Sequence, residues 1–204
     1  WENSVRKNLS LFYNSLLTGL LFATTSVSAQ PTGPTTIMCN VLIEEHFTTA
    51  SDSTPPNCWT SRTIAGVTTD VWRFDNPGNR TTALQVSSPF AGFDSDFQSA
   101  AGGPEDVALE SPAFSAPLNS TITLRFKQFF RSNPFGTSAV VEAFNGTTWS
   151  PIDSTNLQST DGESVCMDIT HEVAGVSNAR VRFRYRGNHS WWWFIDDVVI
   201  SDAP

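Results

Sequence analysis

The sequence predicts a two-layer antiparallel β sandwich, an all-β fold, and three observations predict it. Short runs rich in Val, Ile, Thr and Phe recur from residue 40 to the end of the chain. Clusters of Pro, Gly, Asn and Asp separate them at short intervals. No segment sustains the 3.6-residue periodicity of an amphipathic helix. About ten short strands punctuated by turns bury their apolar faces most simply as two packed sheets.

The elements follow in order. Arg6 and Lys7 precede an apolar run, 9–23, and Val27-Ser28-Ala29 supplies small residues for a signal peptidase, so residues 1–29 read as a signal peptide. Residues 30–36, with two prolines and a glycine, read as a linker, and 37–204 as a single domain. Strands are expected over 40–47, 69–75, 82–86, 107–110, 120–130, 138–144, 148–153, 164–169, 179–185 and 192–200. Asn145-Gly146 between two apolar runs is the strongest hairpin signal. "TLRFKQFF" (123–130) and "ARVRFRYR" (179–186) alternate cleanly, giving each one packed face and one wet face. In "WWWFIDDVVI" (191–200) both faces are apolar, as in a strand covered on both sides. The chain opens on Trp1 and is expected to belong to a longer reading frame.

Charge narrows the function. The chain carries −8 overall, and −9 once Glu2, Arg6 and Lys7 are set aside with the leader. That argues against nucleic acid, whose phosphates require a basic surface. No stretch after the leader is apolar for long enough to span a bilayer. Cys39, Cys58 and Cys166 admit three pairings with one thiol left over. Cys58, in a turn-rich segment, is expected to be bridged, with Cys166 or Cys39 as its partner. No C-x-x-C occurs, and His46, His171 and His189 are scattered, which excludes a Cys/His zinc site.

Together "PPNCWT" (55–60), "WRFDNPGNR" (72–80), "FDSD" (93–96), "VALESPAF" (107–114), "LRFKQFF" (124–130), "VVEAFNGTTWSPI" (140–152) and "VRFRYRGNHSWWWFIDDVVI" (181–200) follow one another in a specific order. This chain resembles the MAM-like or cleaved-adhesin-type jelly-roll modules of secreted bacterial proteins. The resemblance implies a concanavalin A-like jelly roll and a structural calcium ion. It also implies a non-catalytic role beside peptidases, glycosidases or adhesins. The chain departs from the vertebrate MAM pattern in having three cysteines rather than four.

Site candidates follow from strand parity. Trp193 and Ile195 share a face and read as core, whereas Trp191 and Trp192, nearer the loop "RGNHS", are candidates for a ligand-stacking surface. Asp196 and Asp197 point to opposite faces unless a bulge intervenes. A carboxylate on a packed face needs a cation or a hydrogen-bond partner. Glu45, Asp94, Asp96 and Asp197 are therefore the candidate calcium ligands, with backbone carbonyls needed to reach six to eight oxygens. The alternatives are an arginine partner for Asp197 and turn capping by Asp94 and Asp96.

Enzyme signatures are sparse. Glu142 has no companion carboxylate on its strand, Glu163 and Asp168 fall on opposite faces, and no G-x-S-x-G elbow occurs. The expectation is a secreted or cell-surface, calcium-stabilised binding module for an extracellular glycan or protein, accessory to further domains of the same polypeptide. The competing expectation is a jelly-roll glycoside hydrolase or lyase.

Overall fold

The two cleanly alternating segments become central strands of two different sheets. In the computed structural model the described residues are 40–203 apart from 68, 83–84, 99–102, 132–136 and 156–161. The expected leader, the expected linker and Cys39 lie outside them. The elements run β1 (Asn40–Glu45), β2 (Thr60–Gly66), β3 (Ala91–Asp94), α1 (Ser95–Gln98), β4 (Glu105–Glu110), β5 (Thr121–Arg131), β6 (Ser138–Phe144), β7 (Trp149–Thr155), β8 (Glu163–Asp168), α2 (Thr170–Val173), β9 (Arg180–Gly187) and β10 (Trp192–Ala203). One sheet has the order β1-β10-β5-β8, with β3 also on β10, and the other β2-β4-β9-β6-β7. Every strand pairing is antiparallel. The chain is thus an all-β two-sheet sandwich.

Alternation explains the core. β5 buries Ile122, Leu124, Phe126 and Phe130, and β9 buries Val181, Phe183 and Tyr185. Phe126 meets Phe183 edge-on across the sheets, with ring centroids 5.0 Å apart. The Asn145-Gly146 hairpin forms as expected. Asn145 Oδ1 accepts the N–H groups of Thr147 and Thr148, Gly146 takes φ +89°, and Phe144 pairs with Trp149.

Two expected strands are corrected. Residues 69–75 are not a regular strand; they contribute only an isolated bridge between Arg73 and Gly92. Their apolar residues are plugs, with Trp72 and Phe74 in the main core. Nor do 82–86 form a strand among the described residues; Val86 instead covers the outer face of β10 with Phe90 and Phe129. The strands that take their place carry weak patterns. β2 is an edge strand paired only with β4, so it needs no apolar run. β3 has four residues, and its Gly92 is imposed by β10: a Cβ there would stand 2.8 Å from Cδ1 of Phe194.

β10 pairs with β5 along its whole length, with β3 over its first half and with β1 over its second. Its register shifts between Asp196 and Val199, where Asp197 takes φ +49°. This is a β bulge, and it changes the facing parity. Trp193 and Ile195 point into the main core before it, and Val198 and Ile200 after it. Trp192 and Phe194 face the smaller outer cluster. Both faces of the first half are therefore packed, which accounts for the run of aromatics.

Trp72 joins the irregular segment to this strand. It is fully buried, with an edge contact to Trp193 at 5.6 Å, and its backbone N–H donates to Ser61 Oγ at 2.9 Å. Trp72→Ala is expected to lower the unfolding free energy by about 3–5 kcal/mol. Urea titration followed by circular dichroism checks this, and Trp72→Phe should lose distinctly less.

Candidate ligand-binding surface

Strand geometry gives the three consecutive tryptophans different roles. Trp193 is core, at 1% exposure, as its parity with Ile195 predicts. Its Nε1–H donates to Gln128 Oε1 at 2.9 Å. On the outer face Phe90 lies 4.6 Å from Phe194, and Trp192 stacks 6.0 Å from Phe194 at an 18° inclination. Trp191 continues the stack on Trp192, at 5.7 Å and 19°. The series begins buried at Phe90 and ends at Trp191, which is 39% exposed.

Two arginines brace this ladder. Arg80 lies over Trp192 at 4.5 Å, and Arg131 lies 5.0 Å from the Phe129 ring and 6.0 Å from that of Trp191. Arg80 is itself fixed by the "NPGN" turn. Asn76, at φ +48°, accepts the Arg80 N–H at 2.9 Å and donates back to the Arg80 carbonyl. The guanidinium then grips Asp94 through two bonds of 2.7 and 2.9 Å and reaches Asp96 at 3.4 Å. Gly78 is required for this approach, because a Cβ there would lie 2.1 Å from Asp94 Oδ2.

The loop bearing Trp191 is held from beneath. The Ser95 N–H donates to the Trp191 carbonyl at 2.9 Å, and the Ser190 N–H donates to Ser95 Oγ at 2.7 Å. The Ser95 hydroxyl donates in turn to Glu105 Oε2 at 2.5 Å, and the Tyr185 hydroxyl donates to the Ser190 carbonyl at 3.1 Å. Glu105 is 3% exposed, and among the described residues its Oε1 has no partner, nor has Oδ2 of the neighbouring buried Asp70. Burial pushes the Glu105 carboxyl up to about 7, and it raises the Asp70 and Tyr185 groups as well.

The four acids expected to share a calcium ion do not fit one shell. Asp94 and Asp96 are held by Arg80, and Asp94 Oδ1 also accepts the Phe97 N–H at 3.1 Å. Glu45 Oε1 accepts the Phe47 N–H at 2.6 Å. Asp197 meets Lys127 Nζ at 2.6 Å and His46 Nδ1 at 2.5 Å. The expected neighbourhood of the first and last strands is present, since Glu45 pairs with Val198. Even so, among the described residues no group of three or more His, Cys, Asp or Glu side chains is placed to hold a metal. The partner of Asp197 is a lysine and a histidine rather than an arginine. Lys127 first, and His46 after it, hold the Asp197 carboxyl below its ordinary range, while Asp197 and Glu44 raise the His46 pKa. Asp196 is buried on the outer face and raised by burial, accepting the Asp197 N–H at 2.8 Å and the Ser87 N–H at 3.4 Å.

The Cys58–Cys166 bridge is not formed; both are exposed free thiols. Cys58 precedes β2 and Cys166 lies on β8, outer strands of different sheets.

Sequence parity leaves a second surface unread. On the outer face of the β2-β4-β9-β6-β7 sheet, Arg182 lies between Glu110, at 3.6 Å, and Glu142, while Arg184 grips Asp106 through two bonds of 2.6 Å. Arg62 reaches Glu110 at 3.4 Å. At one end of this network a groove of about 390 Å³ opens between Arg62, Arg180 and Trp149, with Arg182 lying over the Trp149 ring at 4.2 Å. The alternating arginines of "ARVRFRYR" were the visible signal; their acidic partners come from strands far away in sequence.

No protein-family model matches the chain, and no curated protein matches it. Solved structures do share its fold. It is similar to the K3 cleaved adhesin domain of Lys-gingipain from Porphyromonas gingivalis, at 20% identity and a TM-score of 0.58, over 80% of this chain and 99% of that one. The K1 cleaved adhesin domain of the same protein aligns at 14% identity and a TM-score of 0.53, over 79% of this chain and 98% of that one. The likeness is one of fold, a two-sheet β sandwich.

The buried Glu105 has a measurable signature. Its folded pKa, about 7, is raised above the ordinary 4.5. The neutral acid is accommodated at no electrostatic cost below the ordinary value, and stability falls as pH rises through about 7. The loss amounts to about 3 kcal/mol once complete, at 1.36 kcal/mol per pKa unit. Glu105→Gln should therefore melt higher than the parent at pH 8, with the difference vanishing by about pH 4. Thermal melts of both proteins across that range test it.

Proposed function

We propose that this chain is an extracellular, non-catalytic binding module that recognises a glycan through the exposed face of Trp191. One observation carries the reading: Trp191 is the open end of an aromatic stack whose other members are wholly or partly buried, with its backbone tied down by Ser95. A flat aromatic that is fixed before the ligand arrives loses little conformational entropy on binding. Its apolar face suits the apolar face of a sugar ring, and the braced Arg131 supplies donors beside it. The carboxylates on the opposite sheet face favour binding over hydrolysis. Glu110 and Glu142 both engage Arg182, so on that face they are not a free acid pair to flank a glycosidic bond. The similarity of fold to cleaved adhesin domains agrees with an accessory role beside further domains of one secreted polypeptide.

Screening the purified 37–204 domain on an array of plant, microbial and animal glycans should yield a ligand. Trp191→Ala should weaken its binding at least tenfold while changing the melting temperature by no more than a few degrees, since this side chain is substantially exposed. Failure to find any glycan that the variant binds more weakly than the parent, or a ligand for this face that proves to be a protein and no glycan, would refute the reading.

A further inference from the structure

We infer that the groove on the β2-β4-β9-β6-β7 sheet is a second, separate binding site, selective for the carboxylate of a uronic-acid residue in an acidic polysaccharide. The proposal stands apart from the Trp191 surface, which belongs to the other sheet.

The first argument is charge. The outward positions of β2, β4, β6 and β9 carry five arginines, Arg62, Arg180, Arg182, Arg184 and Arg186, against three carboxylates, Asp106, Glu110 and Glu142. Four of these arginines have carboxylate partners within the face. Arg180 has none among the described residues, and its Nε is buried without an acceptor. An arginine that lacks an anion, on a face with two positive charges in surplus, is unusual in a chain of net charge −8. It is the arrangement that binding one carboxylate would complete.

The second argument is shape. The groove's volume of about 390 Å³ falls within the range of small-ligand sites, roughly 300–1,000 Å³. Its walls are not uniformly polar: Ile64, Phe144 and Trp149 line it together with Arg62, Arg180 and Arg182. A hexuronate presents the same two surfaces, an apolar ring face and a planar carboxylate. A second hollow of about 340 Å³ shares Arg62, Glu110 and Arg180 and runs on past Cys58 and Pro112. Arg180 thus sits where two adjoining hollows meet, which suits a chain of sugars rather than a single small anion. Glu110 and Glu142 are neutralised by Arg182 and hold it in place against the Trp149 ring.

Isothermal titration at low ionic strength tests this with trigalacturonate, oligomannuronate and hyaluronan oligosaccharides, and with neutral galactotriose as the matched control. At least one uronate should bind, at least tenfold more tightly than the neutral sugar, and added salt should weaken it. Arg180→Gln should lower affinity tenfold or more, and Trp191→Ala should leave it unchanged. Arg62→Gln, at a side chain 59% exposed and so not needed for folding, should lower it too and guards against misfolding of the Arg180 variant. The proposal is overturned if no uronate binds, if neutral and acidic sugars bind the Trp191→Ala protein alike, or if the Arg62 and Arg180 variants bind like the parent. It is also overturned if a poly-glutamate peptide competes with equal affinity. Loss of neutral-glycan binding at Trp191 alone would leave it standing.

Discussion

One extra residue in β10, at Asp196–Asp197, lets a single strand line two different cores. Without it the facing parity set by Trp193 and Ile195 would turn Val198 and Ile200 outward. With it, those four residues all enter the main core, and Trp192 and Phe194 stay free to build the outer aromatic cluster. The bulge falls where the neighbour on one side of β10 changes from β3 to β1, so the break in register coincides with a break in the sheet. The two aspartates are suited to that place. Aspartate tolerates the positive φ seen at Asp197, and its short side chain can accept the local N–H that the interrupted ladder leaves over, as Asp196 does.

The surface proposed for binding depends on the same strand. Trp191 is exposed because the strand begins one residue later, and it is oriented because Trp192 and Phe194 lie beneath it in register. Behind it, Glu105, Ser95, Ser190 and Tyr185 tie β4, α1, the 188–191 loop and β9 into one buried hydrogen-bonded group. That group places a carboxyl with one unpartnered oxygen in the interior. Its burial raises the pKa, so stability is lost as pH rises from the ordinary carboxylate range toward about 7. On the opposite sheet, order comes from charge rather than aromatic packing, with arginines and carboxylates alternating across four strands.

The fold was legible where burial imposes a period. β5, β6, β9 and β10 read directly, since each alternates or is packed on both faces. β2 did not, because an edge strand with half-exposed residues has no need of apolar alternation, and β3 did not, because four residues including a glycine carry no period. Residues 69–75 misled for the opposite reason: Trp72 and Phe74 are as apolar as strand residues, yet they enter the core from an irregular segment. At the site, the core place of Trp193 followed from its parity with Ile195, and the exposure of Trp191 from its nearness to the 187–190 loop. The partners of the acids did not. Arg80 reaches Asp94 across 14 residues and Lys127 reaches Asp197 across 70, and nothing local in sequence fixes such pairs. Glu105 lies before the expected strand 107–110, and only the structure places it on β4 and inside.

The central claim is that the extra residue at 197, not the charge it carries, sets the packing of β10. Thermal and urea unfolding of two variants separates these. Asp197→Gly keeps the extra residue and the positive φ while losing ion pairs to the half-exposed Lys127 and His46, which are worth at most about 1 kcal/mol each. It should unfold cooperatively, close to the parent. Deletion of Asp197 should turn Val198 and Ile200 out of the core and abolish the cooperative transition. A deletion variant as stable as the glycine variant would contradict the account.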